Sequence, residues 1–305
     1  KKAKIILDCH DCVAVPTETV YGLAANAYSD KAVKKIFKLK KRPQNNPLIV
    51  HYHNIDDLKR DCEINSDFLK LYKKFSPGPI TYVLNLKKTS KISKFATNNK
   101  STLAVRFPKH NLMRKLLKLL KYPLAAPSAN LSTKVSSVCF QDVKDDFGNK
   151  LKFILDGGRA SVGVESTIVS LVNKPQILRL GGLEVSSIEN CLNKKLRLKL
   201  NSKKIYSPVQ IKLHYSPGIP IRLNIKKPNK NEAYLLLKKR NNLKDNYYYL
   251  SNKGNLKEAI KNLYRTLRKI KKDNFKSLAV ERIKNQGLGE TINDRLLRAS
   301  KFNAK

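Results

Sequence analysis

The sequence contains no tryptophan and one methionine, and acid is scarce: 23 Asp and Glu stand against 63 Lys and Arg in 305 residues, a formal charge of +40. Such a cation excess goes beyond what solubility asks of a domain and makes an anion a natural partner. The basic residues recur from Lys1 to Lys305 among abundant Asn and Ile. Lys, Asn and Ile share AT-rich codons, so genomic composition is a second source of the charge. Both readings stay open at this stage, and a basic RNA-binding module that performs no chemistry remains a competitor.

Also missing is any apolar run approaching the roughly 18 residues that span a bilayer, and the basic start lacks a signal-peptide core. The five cysteines, at 9, 12, 62, 139 and 191, are odd in number and scattered, which argues against a disulfide scaffold and for a reducing compartment. Cys9 and Cys12 form a C-x-x-C, but no second pair stands at zinc spacing, so no metal site is expected. The expectation is a cytoplasmic protein without membrane contact.

What is present suits two globular units. Short β-type runs at 13–16, 48–51, 80–86, 103–107, 153–155 and 166–171 alternate with helical stripes such as Ala32, Val33, Ile36 and Phe37 behind an Asp30 cap, and Leu112, Leu116, Leu119 and Leu120. This is an α/β pattern with both stripes expected in the core. Residues 190–220 are lysine- and proline-rich and read as a linker; the alternation then resumes with strands at 234–237, 247–250 and 278–281 around a helix bearing Leu256, Ala259, Ile260, Leu263, Leu267 and Ile270. Gly287-Leu288-Gly289 lacks the third glycine of a dinucleotide fingerprint and reads as a structural turn before a helix from Ile292.

Polar clusters sit where apolar strands end, the usual ligand edge of an α/β sheet. Pro16-Thr17-Glu18-Thr19 follows the first strand. Lys40-Lys41-Arg42-Pro43 ends a helix, and Asn45-Asn46-Pro47 leads to the strand that ends at His51. Arg106 closes a strand that opens with Thr102, and the small residues of Ala126-Pro127-Ser128-Ala129-Asn130 permit close backbone approach by a phosphate. Arginine forks and lysine charges suit phosphate or carboxylate. Each segment alone reads as well as a capped turn, a solvated charge run or a strand-end histidine.

Together, PTETVYGL, KKRP with NNPLIVH, TLAVRFP, APSAN, DGG with GVESTIV, and ILRLGG stand in an order that resembles the YrdC-like family over about residues 13–185. SPVQIKLHYSP and VERIKNQGLGETINDRLLRAS are similar to the linker and C-terminal domain of its two-domain threonylcarbamoyl-AMP synthases. The resemblance implies a YrdC-like twisted mixed sheet with flanking helices over 1–189, a linker or lid at 190–220 and a smaller Rossmann-like α/β domain at 221–305. It implies a nucleotidyltransferase that converts L-threonine, bicarbonate or CO2, and ATP with its Mg2+ into threonylcarbamoyl-AMP and pyrophosphate, with no organic cofactor, for tRNA modification by a separate transferase complex. Weak tRNA binding and contact with that complex are partners it allows.

Carried over residue by residue, Lys40 and Arg42 face the triphosphate. Asn46, Thr102, Ser128, Asn130, Ser136 and Arg179 complete the nucleotide site. Thr19, His51, Arg106, Ala126 and Ser166 hold threonine, Arg106 taking its carboxylate, while Pro208, His214 and Tyr215 belong to the lid. His51 is a candidate for general base, alongside bound phosphate, carbonate or water. Ala24 and Val209-Gln210 depart from the family's usual glycine and Gly-Met. A related carbamoyl-transfer domain of hydrogenase maturation carries zinc-finger-like cysteine sets that this sequence lacks.

Overall fold

The computed structural model describes residues 1–199, 214–241 and 244–301. Its larger sheet contains β1 (Val13–Val15), β2 (Gly22–Asn26), β3 (Ile49–His51), β4 (Ile80–Asn85), β5 (Thr102–Arg106), β6 (Leu124–Ala125), β7 (Thr167–Ser170), β8 (Gln176–Arg179) and β9 (Arg197–Leu198). They lie in the order β1-β2-β6-β3-β5-β4-β7-β8-β9. The pairs β3/β5, β4/β7 and β8/β9 are parallel and the rest antiparallel.

Side-chain alternation divides this sheet into two unlike faces. Tyr82, Leu84, Leu103 and Val105 join the main core with Ala32, Val33, Ile36 and Phe37 of the helix Asp30–Lys40 and with Phe68 and Leu71 of the helix Ser66–Phe75. The intervening Ile49, Val83, Ala104 and Ile168 form a small cluster on the other face with Leu178. His51 and Arg106, two residues beyond Ile49 and Ala104, are direct register partners on that second face. At β7/β8 the register shifts between Ile168 and Val169, so that Arg179 opposes Ile168 while Ile177 opposes Val169. Such an extra residue re-aims a side chain.

The second sheet consists of β10 (Ile221–Arg222), β11 (Ala233–Lys238), β12 (Tyr247–Ser251) and β13 (Leu278–Val280), all parallel in the order β10-β13-β11-β12. The helix Leu256–Lys272 packs its Ala259, Ile260, Leu263, Leu267 and Ile270 stripe against it, and Asn255 caps that helix by accepting the Glu258 N–H. Their core is not private: it continues into Val20, Val135, Val138, Ala160 and Val164 of the larger unit. The two units are therefore docked through shared apolar burial.

Several expectations change. Ser29, not Asp30, caps the second helix, its Oγ accepting the Ala32 N–H. In the helix Asn111–Leu119 the buried positions are Met113, Leu116 and Leu117, whereas Leu119 is exposed. The leucine-rich pattern fits more than one helical phase, and docking selects one. Residues 153–155 form only an isolated bridge from Ile154 to Ala14. The last helix begins at Leu288, four residues early, with Gly287 at its cap. The linker's first part is no linker: the helix Val185–Leu192 runs into it, and β9 extends the large sheet. Pro208, Val209 and Gln210 lie outside the described residues.

Gly163 marks a close approach of the two units. It has φ +84°, and a Cβ there would fall on the backbone of Lys261 in the helix Leu256–Lys272. Left-handed geometry and a facing backbone both resist a side chain. Gly163→Ala is expected to cost about 1–3 kcal/mol of stability, measured by urea denaturation; a variant as stable as the parent would show that this contact yields freely.

Candidate active site

The second face of the large sheet carries a small cavity, about 40 Å³, walled by groups from the strand ends and from the Thr17–Gly22 and Ala126–Ser128 segments. Thr17 builds the first wall. Its Oγ1 donates to the Val20 carbonyl at 2.6 Å and meets Thr19 Oγ1 at 2.8 Å, so the turn-cap and site readings of this segment hold together.

Glu18 was not singled out from the sequence as a site residue, yet it fixes the principal cation. Arg106 Nη2 donates to its Oε1 at 2.8 Å, and the Lys109 backbone N–H donates to its Oε2 at 2.9 Å. Arg106 is thereby oriented, with its Nε lacking a partner among the described residues. Beside it, burial first and then the Arg106 charge push the His51 imidazole down to about 3. His51 is therefore neutral at pH 7 and too weak a base to be well matched to proton abstraction there.

Lys40 and Arg42 are buried, not part of a solvated run. Lys41 takes the left-handed conformation that ends the helix, at φ 51°. Lys40 Nζ turns to the Ser128 and Asn130 carbonyls and fastens the APSAN turn, and it does not line the cavity. Burial, with Arg42 nearby, holds its amine well below the usual lysine range. Arg42 lines the cavity and donates to the Asn46 and Pro47 carbonyls at 3.2 and 3.1 Å. Burial and then Arg179 push its guanidinium down to about 9, still charged at neutral pH.

Ala126 and Ser128 lie in the wall, and Asn46 is buried behind it. Asn130 donates to the Leu131 and Lys134 carbonyls, leaving Oδ1 without a partner among the described residues. Ser166 Oγ meets Thr81 Oγ1 at 2.7 Å, and Arg179 Nη2 reaches the Ser166 carbonyl at 2.8 Å. Thr102 stands apart. It shares a face of β5 with Ala104 and Arg106, but four residues of strand separate it from Arg106, about 13 Å, and it does not line the cavity.

Glu165 is another residue that sequence reasoning passed over. It lines the cavity, its Oε1 accepts from Ser136 Oγ at 2.5 Å, and its Oε2 accepts from Tyr264 OH at 2.8 Å and Arg295 Nε at 3.1 Å. Burial alone would raise its carboxyl, but Arg295 and then Arg179 outweigh it and hold it down at about 2. His214 and Tyr215 are buried nearby, with ring centroids 4.0 Å apart. Burial keeps His214 well below the usual histidine range, and Arg42, Lys40 and Arg295 reinforce the shift against Glu165. The cavity thus holds guanidinium groups from Arg42, Arg106 and Arg179 and the Glu165 carboxylate, while Glu18, paired with Arg106, and Lys40 lie outside its lining. The surplus is positive and poorly hydrated, which suits an anionic ligand.

The His51 shift carries a sign. Between an ordinary 6.5 and about 3 the unfolded chain binds a proton that the native imidazole refuses, so stability rises with pH across this window and is lost on acidification. The contribution is about 1.4 kcal/mol per pH unit for one proton. His51→Gln is expected to flatten the stability slope between pH 6 and 4, followed by urea denaturation; an unchanged slope would mean that His51 titrates normally in the native state.

Comparison with known proteins shows the family. The Sua5/YciO/YrdC family model, described as "Telomere recombination", matches residues 6–181, and the model "Threonylcarbamoyl-AMP synthase, C-terminal domain" matches residues 183–301. The threonylcarbamoyl-AMP synthase of Pyrococcus abyssi is 34% identical over 95% of this chain and 90% of its own length. That of Schizosaccharomyces pombe is 36% identical over 85% and 69%. The crystal structure of P. abyssi Sua5 complexed with L-threonine superposes with a TM-score of 0.90 at 32% identity, covering 98% of this chain and 93% of that one. Matched in both domains and along nearly its whole length, this chain belongs to the two-domain threonylcarbamoyl-AMP synthase family.

Proposed function

We propose that the cavity on the second sheet face binds L-threonine and ATP and joins them, through a carbamate made from bicarbonate or CO2, into threonylcarbamoyl-AMP with release of pyrophosphate. The observation that carries this reading is the Glu18-oriented Arg106 set among the surplus cations of Arg42 and Arg179. A planar guanidinium held from one side presents its remaining N–H groups to a carboxylate. The threonine carboxylate fits there, with Thr19, His51 and Ser166 around the amine and side chain and the small Ala126 leaving room.

The carbamate oxygen attacks the α-phosphorus, the bond to the β-phosphate oxygen breaks, and pyrophosphate departs with its magnesium. Negative charge grows on phosphate oxygens during this step, so fixed cations in a dry site lower the barrier most. Arg42 and Arg179 supply them, and a polyphosphate would also draw Lys40 from the Ser128 and Asn130 carbonyls and keep it protonated. Ser128 lies in the cavity wall and Asn46, Asn130, Ser136 and Thr102 lie outside it, so the nucleotide reaches beyond the present cavity to meet them. The proton released when the amine forms carbamate goes to bicarbonate, phosphate or water, because His51 is too weak a base.

A cavity of about 40 Å³ is far smaller than the ~300 Å³ that even a modest ligand site needs. His214 and Tyr215 therefore act as a lid that moves aside for ATP and returns over it. The product serves tRNA modification in the cytoplasm, handed to a separate transferase, and the chain's net charge favours weak contact with tRNA.

Pyrophosphate release with MgATP and bicarbonate should depend on L-threonine and yield a threonylcarbamoyl-adenylate mass. Arg106→Ala should lower kcat/KM for threonine by about a hundredfold while the protein stays folded. Unchanged turnover in Arg106→Ala would remove the carboxylate assignment, and no release from folded parent protein would favour an RNA-binding homologue without catalysis.

A further inference from the structure

Arg295 lies on the helix Leu288–Ala299 of the second unit, yet it is completely buried against the first. Its Nε donates to Glu165 Oε2 and to Tyr264 OH, each at 3.1 Å, and its Nη2 donates to the Leu180 carbonyl at 2.6 Å. Its guanidinium also covers the Tyr215 ring at 4.7 Å, and Tyr215 stacks on Tyr264 at 5.6 Å between centroids. One side chain therefore touches a cavity-wall carboxylate, the backbone just after β8 and the lid tyrosine. Only the carboxylate belongs to the cavity.

A fully buried guanidinium has to be compensated from several directions: Nη1 donates to Asp294 Oδ2 on the same helix at 2.5 Å, and the other compensating groups come from different parts of the site. The second oxygen of Glu165 takes the Ser136 hydroxyl. Glu165 is chained to Ser166 and to β7, and the preceding helical turn fastens the same region again, through Thr291 Oγ1 to the Gly181 carbonyl at 3.1 Å. Displacing Arg295 would free Glu165, Ser136 and the Tyr215 ring together.

We infer that Arg295 is a positioning residue for the adenylation pocket: from the second domain it fixes Glu165, and through Glu165 the Ser136 hydroxyl and the start of β7. The inference rests on the adenylation reading of the cavity. It gives the second domain a defined part in a site whose walls all lie in the first.

The test uses the full chain. With parent turnover established by pyrophosphate release, Arg295→Met is expected to fold, by circular dichroism, and to lose about a hundredfold in kcat/KM. It should also gain an acid limb in its pH–rate profile that the parent lacks. The charged and titratable groups facing Glu165 are Arg295, Arg179, His214, Lys40, Tyr215 and Tyr264. Removing the strongest cation lets the carboxyl take a proton as pH falls, and a protonated oxygen no longer accepts as before. Arg295→Lys keeps the charge and should restore the parent's profile with part of the rate.

Glu165→Gln should share the rate loss, and the double variant Arg295→Met/Glu165→Gln should be no worse than the poorer single variant. Parental rate and profile in folded Arg295→Met would overturn the inference, as would losses that multiply in the double variant. If Arg295→Met fails to fold, Arg295→Lys and its double with Glu165→Gln carry the same comparison: multiplying losses overturn the inference and shared losses support it. Absence of turnover in the parent would instead reject the adenylation reading, a separate outcome.

Discussion

A carboxylate deprived of water is stable only where cations and hydrogen-bond donors replace the lost hydration. Glu165 meets that demand with a hydroxyl from the first unit and a phenol and a guanidinium from the second. The result is more than local satisfaction. Because the donors come from distant stretches of chain, the carboxylate cannot be content unless β7, the Ser136 loop, the helix Leu256–Lys272 and the last helix are all in place. The apolar cluster shared by the two units brings these elements into contact, and the charge network then sets their register.

The same logic runs through the cavity. Arg106 is held by Glu18, Arg42 by two carbonyls and Arg179 by the Ser166 carbonyl. Glu18 balances the charge of Arg106, whereas the carbonyls orient Arg42 and Arg179 and leave their charge in place. Holding surplus positive charge in a poorly hydrated space costs stability in the empty protein, and an incoming anion relieves that cost. Burial first, and the neighbouring cations after it, hold Lys40, His51 and His214 below their usual ranges, because both disfavour a further positive charge.

The alternation of apolar strands and amphipathic helices was legible, and so were the motifs at strand ends, because those segments are continuous in sequence. β2 was not, since Gly22–Asn26 carries a glycine and two alanines and owes its pairing to neighbouring strands. The burial of Lys40 was equally hidden: in a chain this basic, one lysine among many gives no local cue. Glu165 and Arg295 stand 130 residues apart, and only the folded arrangement introduces them. A scarce acid inside the GVEST segment of so basic a chain was the one available signal. Thr102 shows the reverse case. The sequence already opens β5 with it and closes β5 with Arg106, and strand geometry keeps it at the far end of the same face, outside the cavity.

The register shift between β7 and β8 gives this edge of the site a tolerance in residue count. Leu178 and Arg179 both reach the ligand face because one extra residue is accommodated there. Loss of that one residue from β8 would restore strict alternation with Arg179 still opposite Ile168, so what the extra residue adds to this face is the apolar Leu178 beside the guanidinium. A loss of one residue at this point can be absorbed, whereas a loss from a strictly alternating strand turns every following side chain over. Over evolutionary time chain length should therefore vary more freely here than in β5, where Thr102, Ala104 and Arg106 share a face through unbroken alternation.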